Sequence, residues 1–503
     1  MMPAAATPQI DLLVTGPVLA PAIGAVLVLA VDALWPRRRT PALVLGVLAL
    51  LIALGTAVSL RLGAVAEGEQ ASVCLPDDPS LTVRPPAGAT VSDCLVRVGE
   101  SGALLQALAA AGGLAVLVLL LSQPHDRRAR QDGELGAGPG VETALLLASV
   151  TGATMVSAAH DLGSWLVGLE LATLPVVALA VLRGGARDSG AMQLITTSIT
   201  SFALAVVGAG LWVSATGSIR LGGAAAWRAG QDDGTSALLT LALVMLIAGV
   251  AFKLSLVPFH AWAPATYPRA GVSVTLLLAT VSAIAAVGAL IAVMDGAAGV
   301  LPRLAPAFAV LAVVSMLVGA LLALRARDPL RLVAWSAVTQ GGWVVAPLAA
   351  GDTQAAIGYL AVYVVAVAAV LSVVAALAPT GGRTLADDRG LLRRRPLHAG
   401  VLVLGLLTLA GLPPGVAGLL AKITVLRPLA SEGLWWIALP AVAATALGFA
   451  VYLRWVALVL LPVDDTRERE PVSGAATAVT LAAGALLLGA TVLPVILLGA
   501  GTN

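Results

Sequence analysis

Charged residues are scarce in this sequence of 503 residues, making up 11% of it against 59% hydrophobic residues. Because a soluble protein carries about 25% charged residues, the composition excludes a string of soluble domains. Apolar runs of about 20 residues, the length that spans a bilayer core as a helix, recur from one end to the other. With no water in the bilayer core, such runs must cross it as helices. The sequence therefore predicts an all-α polytopic membrane protein that contacts the lipid bilayer on its outer faces.

Other absences narrow the function. The only cysteines are Cys74 and Cys94, too few to hold an iron–sulfur cluster, which needs about four ligands. The net charge of +2 gives no support to a nucleic-acid partner, since the basic residues sit in short loops rather than in one patch. The first residues, MMPAAATPQIDLLVTG, contain no basic region before the first apolar run. We therefore expect that run to be a retained helix with its N-terminus outside the cell.

Hydropathy predicts fourteen transmembrane helices, which we number as segments 1 to 14 in chain order. Their approximate bounds are 10–34, 41–63, 102–122, 141–159, 162–182, 190–216, 236–258, 271–294, 303–324, 330–350, 354–378, 398–426, 433–461 and 473–499.

The arginines of the loops test that number independently, because loops that stay in the cytoplasm are enriched in Arg and Lys. With the N-terminus outside, the inner loops hold nineteen cations: Arg37–Arg39, Arg127, Arg128, Arg130, Arg183, Arg187, Arg269, Arg325, Arg327, Arg331, Arg383, Arg389, Arg393–Arg395, Arg467 and Arg469. The outer loops hold seven: Arg61, Arg84, Arg97, Arg220, Arg228, Arg303 and Arg427. One helix more or fewer would invert every later loop, so the asymmetry favours fourteen helices with both termini outside.

The longest loop, about 65–101, falls on the outer side and contains both cysteines. A disulfide that closes about 20 residues stabilises a fold by roughly 3 kcal/mol in the chain-entropy model, and an extracytoplasmic loop permits one. A disulfide between Cys74 and Cys94 is therefore predicted, with two free thiols as the alternative.

Three cations fall inside apolar runs: Lys253, Lys422 and Arg454. The chain has 27 arginines and only two lysines, and both lysines belong to this group. An arginine keeps its charge at any accessible pH, whereas a buried lysine is able to gain and lose a proton. The two lysines therefore indicate sites of reversible protonation, while Arg454, near the end of its helix, is interpreted as snorkelling to the interface.

A buried lysine needs an anion to hold its charged state, and the best candidate is Glu170. It lies in segment 5, in SWLVGLELATLP, with no cation within a helical turn of it in sequence. Paired with Lys253, it would give an element with two states, one paired and one separated. Intramembrane ionisable residues mark functional sites by default. The alternatives are a structural ion pair that fixes helix packing, and snorkelling.

Prolines interrupt both segments that carry a lysine. Pro258 follows Lys253 by five residues, whereas Pro413 and Pro414 precede Lys422 by eight or nine. Proline breaks or kinks a helix, and broken membrane helices line hydrated cavities and mark ion sites in transporters. The interrupted segments, 7 and 12, are five apart, so segments 4–8 and 9–13 are predicted to be inverted repeats. The corresponding domains are an N-terminal three-helix part at 1–139, the repeats at 140–295 and 296–462, and a C-terminal helix at 463–503.

The stretches around both lysines resemble a known family. FKLSLVPFHAWAPATY and LTLAGLPPGVAGLLAKITVL are similar to the antiporter-like membrane subunits of respiratory complex I, above all to subunit N of bacterial NADH–quinone oxidoreductase. The agreement extends from about residue 140 to 460 and includes DLGSWLVGLELATLP, LLALRARDPLRLVAWSAVTQGGW and DDRGLL. Subunits L and M and the multisubunit sodium/proton antiporters carry related motifs with different spacing.

The resemblance implies a proton path through the central plane of a bacterial inner membrane. The family's helix-5 glutamate falls on Glu170, its helix-7 lysine on Lys253 and its helix-12 lysine on Lys422. Quinone reduction elsewhere in the complex would alter the Glu170–Lys253 pairing and send protons toward Lys422. NADH, FMN, iron–sulfur clusters and quinone are expected in other subunits, so this chain should hold no cofactor and no metal. Its expected partners are the other membrane-arm subunits.

The sequence departs from the family's pattern in the middle of that path. An S-K pair of segment 8 appears as Ser282–Ala283, and a histidine of segment 10 appears as Gln340. Ser282 and Gln340 are able to carry a hydrogen-bonded chain there, but not to store a proton. His260, close to Pro258, is predicted either as the entrance to the path or as an interfacial residue.

Three hypotheses on function follow. The first is a proton-translocating membrane-arm subunit of a complex I-type NADH–quinone oxidoreductase, so that the chain is part of an enzyme without a redox centre of its own. The second is a subunit of a cation/proton antiporter or of a membrane-bound hydrogenase. The third, motivated by Ala283, is a structural paralogue with weakened pumping.

Overall fold

The computed structural model describes most of the chain, and helices dominate it. The described residues are 10–36, 38–74, 94–122, 138–184, 189–297, 299–377, 383–462 and 472–498. Within them, thirteen helices are long and apolar enough to cross a membrane. The remaining predicted segment, segment 12, consists of two shorter helices, Pro396–Ala410 and Val416–Ser431. The prediction of an all-α polytopic membrane protein with fourteen segments is thus confirmed.

Most segments are continuous helices, and a few are interrupted. The continuous ones are Leu12–Leu34, Arg39–Glu67, Glu100–Ser122, Pro139–Val156, Ser189–Thr216, Leu301–Ala323, Thr353–Leu377 and Trp435–Leu460. Segment 5 is split into Leu162–Leu171 and Leu174–Gly184, segment 7 into Asp233–Ala251 and Trp262–Ala270, and segment 14 into Gly474–Val492 and Val495–Leu498. Segment 8 runs as Val272–Leu277, a π-helical turn Leu278–Ser282 and Ala283–Asp295, and segment 10 as Pro329–Val345 followed by the 3₁₀ turn Ala346–Ala350. Short helices also occupy Gly223–Gln231, Leu385–Asp388 and Leu391–Arg394.

Segments 8, 10 and 11 form the centre of the molecule, and segments 1, 2, 6 and 14 lie at its periphery. Hydrophobicity does not separate the two groups, because lipid is as apolar as a protein core. Small residues allow the helices to approach each other closely. A side chain at Gly152 of segment 4 would collide with the backbone of segment 5 at Ala172. One at Gly342 of segment 10 would collide with the Ala312 carbonyl of segment 9. Glycine contacts of this kind bring the interrupted segments against their neighbours.

A small antiparallel sheet between segments 2 and 3 was not predicted from the sequence. Its strands are Gln70–Cys74 and Cys94–Val98, and their register places Cys74 opposite Cys94. The rest of this loop, 75–93, lies outside the described residues. The register keeps the two cysteine backbones adjacent and so supports the disulfide, which stays a prediction.

A buried ion pair ties segments 3, 4 and 5 together at one end of the bundle. Arg183 binds Glu142 in a bidentate manner, with both N–O distances at 2.7 Å, and its Nη2 also donates to the Leu120 carbonyl at 3.0 Å. The Glu142 side chain is only 2% exposed. Because the pair is bidentate and buried, removing either residue alone should lower the free energy of unfolding strongly.

A second polar cluster fastens the connection between segments 11 and 12 to segment 13. The buried carboxylate of Asp388 accepts hydrogen bonds from Arg383 at 2.5 and 2.9 Å and from the Trp455 indole at 2.8 Å. Burial raises the pKa of Asp388, and the neighbouring Arg383 opposes that shift. The connection is therefore packed against the bundle between the end of segment 11 and the start of segment 12.

Arg183→Ala is expected to destabilise the protein by about 3–5 kcal/mol, because it leaves Glu142 buried without its arginine. The double change Glu142→Gln with Arg183→Met removes both charges and should recover most of that loss. The fraction of tagged protein that stays soluble in detergent after heating measures the difference. Equal loss in the single and double variants would contradict this account of the pair.

Candidate functional site

Segment 7 is interrupted, as predicted, over a stretch that contains both Lys253 and Pro258. Its first helix ends at Ala251, two residues before the lysine, and its second begins at Trp262. The residues between them form turns that contain Pro258. The Trp262 indole donates to the Phe252 carbonyl at 3.0 Å and so satisfies one of the backbone groups that the break frees. Lys253 is therefore a residue of the break.

The ammonium group of Lys253 is held by a backbone carbonyl. The residue is 6% exposed, and its Nζ donates to the carbonyl oxygen of Leu169 at 3.0 Å. Leu169 belongs to the last turn of the first helix of segment 5, which ends at Leu171. The last carbonyls of a helix lack helical partners and carry a partial negative charge. Lys253 therefore sits at the negative end of a half-helix.

Glu170 lies beside this carbonyl but does not bind the lysine directly. Among the described residues the two side chains form no ion pair, although their charges interact electrostatically. Glu170 is half-buried and lines an apolar groove of about 540 Å³ on the side of the bundle, together with Val167, Leu174 and Phe202. The structure thus brings the two charges of the predicted pair within electrostatic range, with Glu170 half-buried at the side of the bundle.

Segment 12 is interrupted in a comparable way. Its first helix ends at Ala410 and its second begins at Val416. Between them, Gly411 adopts a left-handed conformation with φ of 82°, and Pro413 and Pro414 follow. The break predicted from the two prolines is therefore present, and it starts at the glycine.

Lys422 reaches back from the second helix across this break. It is 6% exposed, and its Nζ donates to the carbonyl oxygen of Ala410 at 2.6 Å. The same nitrogen lies 5.3 Å from the ring centre of Trp343, a distance that permits a cation–π contact. Like Lys253, it occupies the carboxyl end of a half-helix.

Arg454 follows the same rule. Its guanidinium donates to the carbonyls of Leu324 at 2.5 Å and Ala326 at 2.6 Å, directly after the end of segment 9. These carbonyls adjoin the loop that follows segment 9, so the contact is compatible with the predicted snorkelling, which stays a prediction. All three cations that fall inside the apolar runs therefore bind carbonyls at the ends of helices.

A hydrogen-bonded network around Gln340 reaches the backbone carbonyl next to the one that Lys422 binds. Gln340 Nε2 donates to the Tyr452 hydroxyl at 2.9 Å and to the Leu409 carbonyl at 3.4 Å, while its Oε1 accepts from the Tyr359 hydroxyl at 2.5 Å. Leu409 immediately precedes the carbonyl bound by Lys422. Gln340 is therefore hydrogen-bonded, with two tyrosine hydroxyls among its partners, and its part in a proton path stays a prediction.

Sequence reasoning overlooked these tyrosines. The chain has only four, Tyr267, Tyr359, Tyr363 and Tyr452, and all are 5% exposed or less. Tyrosine is rare in this chain, and three of the four tyrosines fall inside predicted apolar helices. Those two features of the sequence would have marked them as candidates. A buried tyrosine hydroxyl normally requires a polar partner.

The remaining predicted residues are Ser282 and His260. Ser282 is buried at the end of the π-helical turn of segment 8, directly before Ala283; such turns occur frequently at functional sites. His260 lies in the break of segment 7, half-buried, with its ring centre 5.7 Å from that of Trp335. Its neighbour Trp262 is 1% exposed, which argues against the interfacial reading. Their roles in a proton path stay predictions.

Comparison with known proteins identifies the family. A family model described as NADH:quinone oxidoreductase/Mrp antiporter, transmembrane, matches residues 159–448, which include both breaks, Glu170, Lys253 and Lys422. The chain belongs to this family. The resemblance drawn from the motifs is thereby confirmed.

Relatives within the family are subunits N. NADH-quinone oxidoreductase subunit N of Salinispora tropica is 40% identical over 403 residues, which cover 75% of this chain and 76% of the relative. A chain of respiratory complex I from Thermus thermophilus with bound aureothin matches with a TM-score of 0.75 and 27% identity, covering 96% of this chain and 98% of that one. A chain of the Mrp complex from Dietzia sp. DQ12-45-1b gives a TM-score of 0.78 at 19% identity, covering 97% and 96%. That last similarity shows the fold alone.

Gly411→Ala should destabilise the protein more than Gly433→Ala. Both glycines have positive φ, 82° and 69°, so both changes carry a backbone cost of about 1 kcal/mol. A Cβ at Gly411 would also lie 3.1 Å from Lys422 Cδ, whereas one at Gly433 would meet nothing within 4 Å. Heat resistance of the tagged protein in detergent compares the two. Equal shifts would show that Lys422 does not depend on close contact with the break.

Proposed function

We propose that this chain is a proton-translocating membrane-arm subunit of a complex I-type NADH–quinone oxidoreductase. The observation that carries the proposal is the placement of the chain's only two lysines, each buried at the carboxyl end of an interrupted helix. Broken helices whose ends bind charge are the usual ion sites of membrane transporters. The subunit N relatives supply the reaction to which proton movement would be coupled.

Lys253 is able to change partners with little movement. Its nitrogen binds the carbonyl of Leu169, and Glu170 is the next residue along the chain. Paired with Glu170, the lysine would be held protonated; bound to the carbonyl alone, it is free to pass a proton on toward Lys422. Quinone reduction in another subunit would act by shifting Glu170 between these arrangements.

The groove at Glu170 is the place where a neighbouring subunit would exert that control. Glu170 is the one ionisable residue among the described residues that line the groove, and an ionisable side chain next to lipid is costly. The other lining residues are apolar, such as Val167 and Leu174, which are 56% and 52% exposed. We infer that another membrane-arm subunit covers it, while lipid covers the remaining apolar surface. NADH, FMN, iron–sulfur clusters and quinone would be bound by other subunits, and no nucleic acid is involved.

The proposed setting is the inner membrane of a bacterial cell, with both termini on the extracytoplasmic side. The arginine asymmetry of the loops supports that orientation. We further propose that 140–295 and 296–462 are inverted repeats, flanked by the three N-terminal helices and by the last helix. The corresponding breaks in segments 7 and 12 support this division.

Two alternatives are kept. A subunit of a cation/proton antiporter or membrane-bound hydrogenase would share the fold, as the Mrp complex does. The relative that is 40% identical is a subunit N, which favours the complex I reading. A structural paralogue with weakened pumping is motivated by Ala283, where the family resemblance calls for lysine. Sodium dependence of ion movement would favour the antiporter, and full electron transfer without proton uptake would favour the paralogue.

Lys253→Arg is expected to slow NADH-driven proton uptake about tenfold, equivalent to about 1.4 kcal/mol in the barrier. Arginine keeps the charge and can still bind the Leu169 carbonyl, but it does not release a proton. Uptake is measured in inverted membrane vesicles by quenching of a pH-sensitive dye, with NADH oxidation followed in parallel. Arg454→Lys, a swap at an intramembrane cation outside the path, is the matched control. Normal pumping by Lys253→Arg would reduce the lysine to a structural role.

The orientation is tested by fusing alkaline phosphatase or a fluorescent protein to the C-terminus. Fourteen segments with both termini outside predict an active phosphatase and a dark fluorescent protein, since the former needs the oxidising outer compartment and the latter does not fold there after export. The reverse pattern would contradict the topology.

A further inference from the structure

Two small cavities lie between Lys253 and the network around Gln340. The first, of about 10 Å³, is lined by Lys253, Tyr267, Ala283 and Tyr363, among others. The second, also about 10 Å³, is lined by Gln340, Tyr359, Thr408 and again Tyr363. A cavity that holds one water molecule requires about 10–15 Å³, so each is close to the size of a single water.

Tyr363 is the one side chain that the two linings share. It belongs to segment 11, in the centre of the bundle, and is 5% exposed. Tyr267 borders the cavity at Lys253, and Tyr359 borders the cavity at Gln340. The Tyr363 side chain therefore lies between the two polar regions.

The nearby threonine hydroxyls are already committed to their own helices. Thr280 donates to the Leu276 carbonyl at 2.6 Å, and Thr339 donates to the Trp335 carbonyl at 3.2 Å. Each would have to give up an intrahelical bond to join a chain across the bundle. For the Tyr363 hydroxyl, no protein hydrogen bond is found among the described residues.

We propose that Tyr363 relays protons between Lys253 and the Gln340 network, at the point where this chain has Ala283 instead of the lysine expected from the family. The inference rests on the proposed function. The Tyr363 oxygen accepts a proton that originates on the Lys253 ammonium, and its own O–H proton leaves toward the second cavity and finally to the neutral Lys422 amine. One O–H bond forms as another breaks, so Tyr363 remains neutral, Lys253 loses one proton and Lys422 gains one.

The test compares Tyr363→Phe, Tyr363→His and Ser372→Ala in the assembled complex, in inverted vesicles driven by NADH. Phenylalanine keeps the shape and removes the hydroxyl; histidine changes the shape but restores a group that transfers protons. Ser372→Ala removes another buried hydroxyl from the same helix, which donates to the Ala369 carbonyl one turn earlier. The relay predicts that proton uptake is about fivefold lower in Tyr363→Phe, partly recovered in Tyr363→His and unchanged in Ser372→Ala. It also predicts a larger solvent deuterium isotope effect on proton uptake in Tyr363→Phe than in the native protein.

The outcomes separate this inference from the function on which it rests. Native pumping in Tyr363→Phe, with pumping lost in Lys253→Arg, overturns the relay and leaves the proposed function standing. A larger loss of proton uptake in Tyr363→His than in Tyr363→Phe also overturns the relay. That result would mean that the shape of the side chain matters at this position and its ability to transfer a proton does not. Native pumping in both Tyr363→Phe and Lys253→Arg overturns the relay and the proposed function together.

Discussion

A cation inside a bilayer must find a partner that satisfies its charge and its hydrogen-bond donors, and in this protein helix ends supply that partner. Lys253, Lys422 and Arg454 each donate to backbone carbonyls at the carboxyl end of a helix or just beyond it. Such carbonyls are available only where a helix stops. For the two lysines, this requires helices that stop within the membrane. The interruptions of segments 5 and 12 are therefore conditions for burying the lysines at all.

A carbonyl partner also suits a lysine that changes its protonation state. A neutral amine still donates an N–H to a carbonyl, so the hydrogen bond survives loss of the proton. A carboxylate partner would be left as an unpaired buried charge, which is strongly destabilising. The partial exposure of Glu170 in its apolar groove fits this difference. It is placed to influence Lys253 without being the group that solvates it.

The sequence predicts what depends on single segments and misses what depends on how they pack. Hydropathy and arginine distribution identified all fourteen segments, and proline with lysine identified the breaks in segments 7 and 12. The break in segment 5, which supplies the carbonyl for Lys253, was not predicted. The partner of Lys253 was not predictable, because Leu169 lies 84 residues away and acts through its backbone, which leaves no mark in the sequence. The Glu142–Arg183 pair escaped notice because both residues adjoin loops, where charges are ordinary. The tyrosines around Gln340 were overlooked because single aromatic residues in apolar helices usually fill space.

Selective ¹⁵N labelling of lysine tests the central claim most directly, because the chain contains only Lys253 and Lys422. Solid-state NMR of the protein, produced with a lysine-free tag and placed in lipid bilayers, should show two buried side-chain nitrogens. The account predicts that both signals move from the ammonium to the amine position as the pH is raised, while the protein stays folded. Two nitrogens that remain ammonium until the protein unfolds would contradict reversible protonation and, with it, the proposed path.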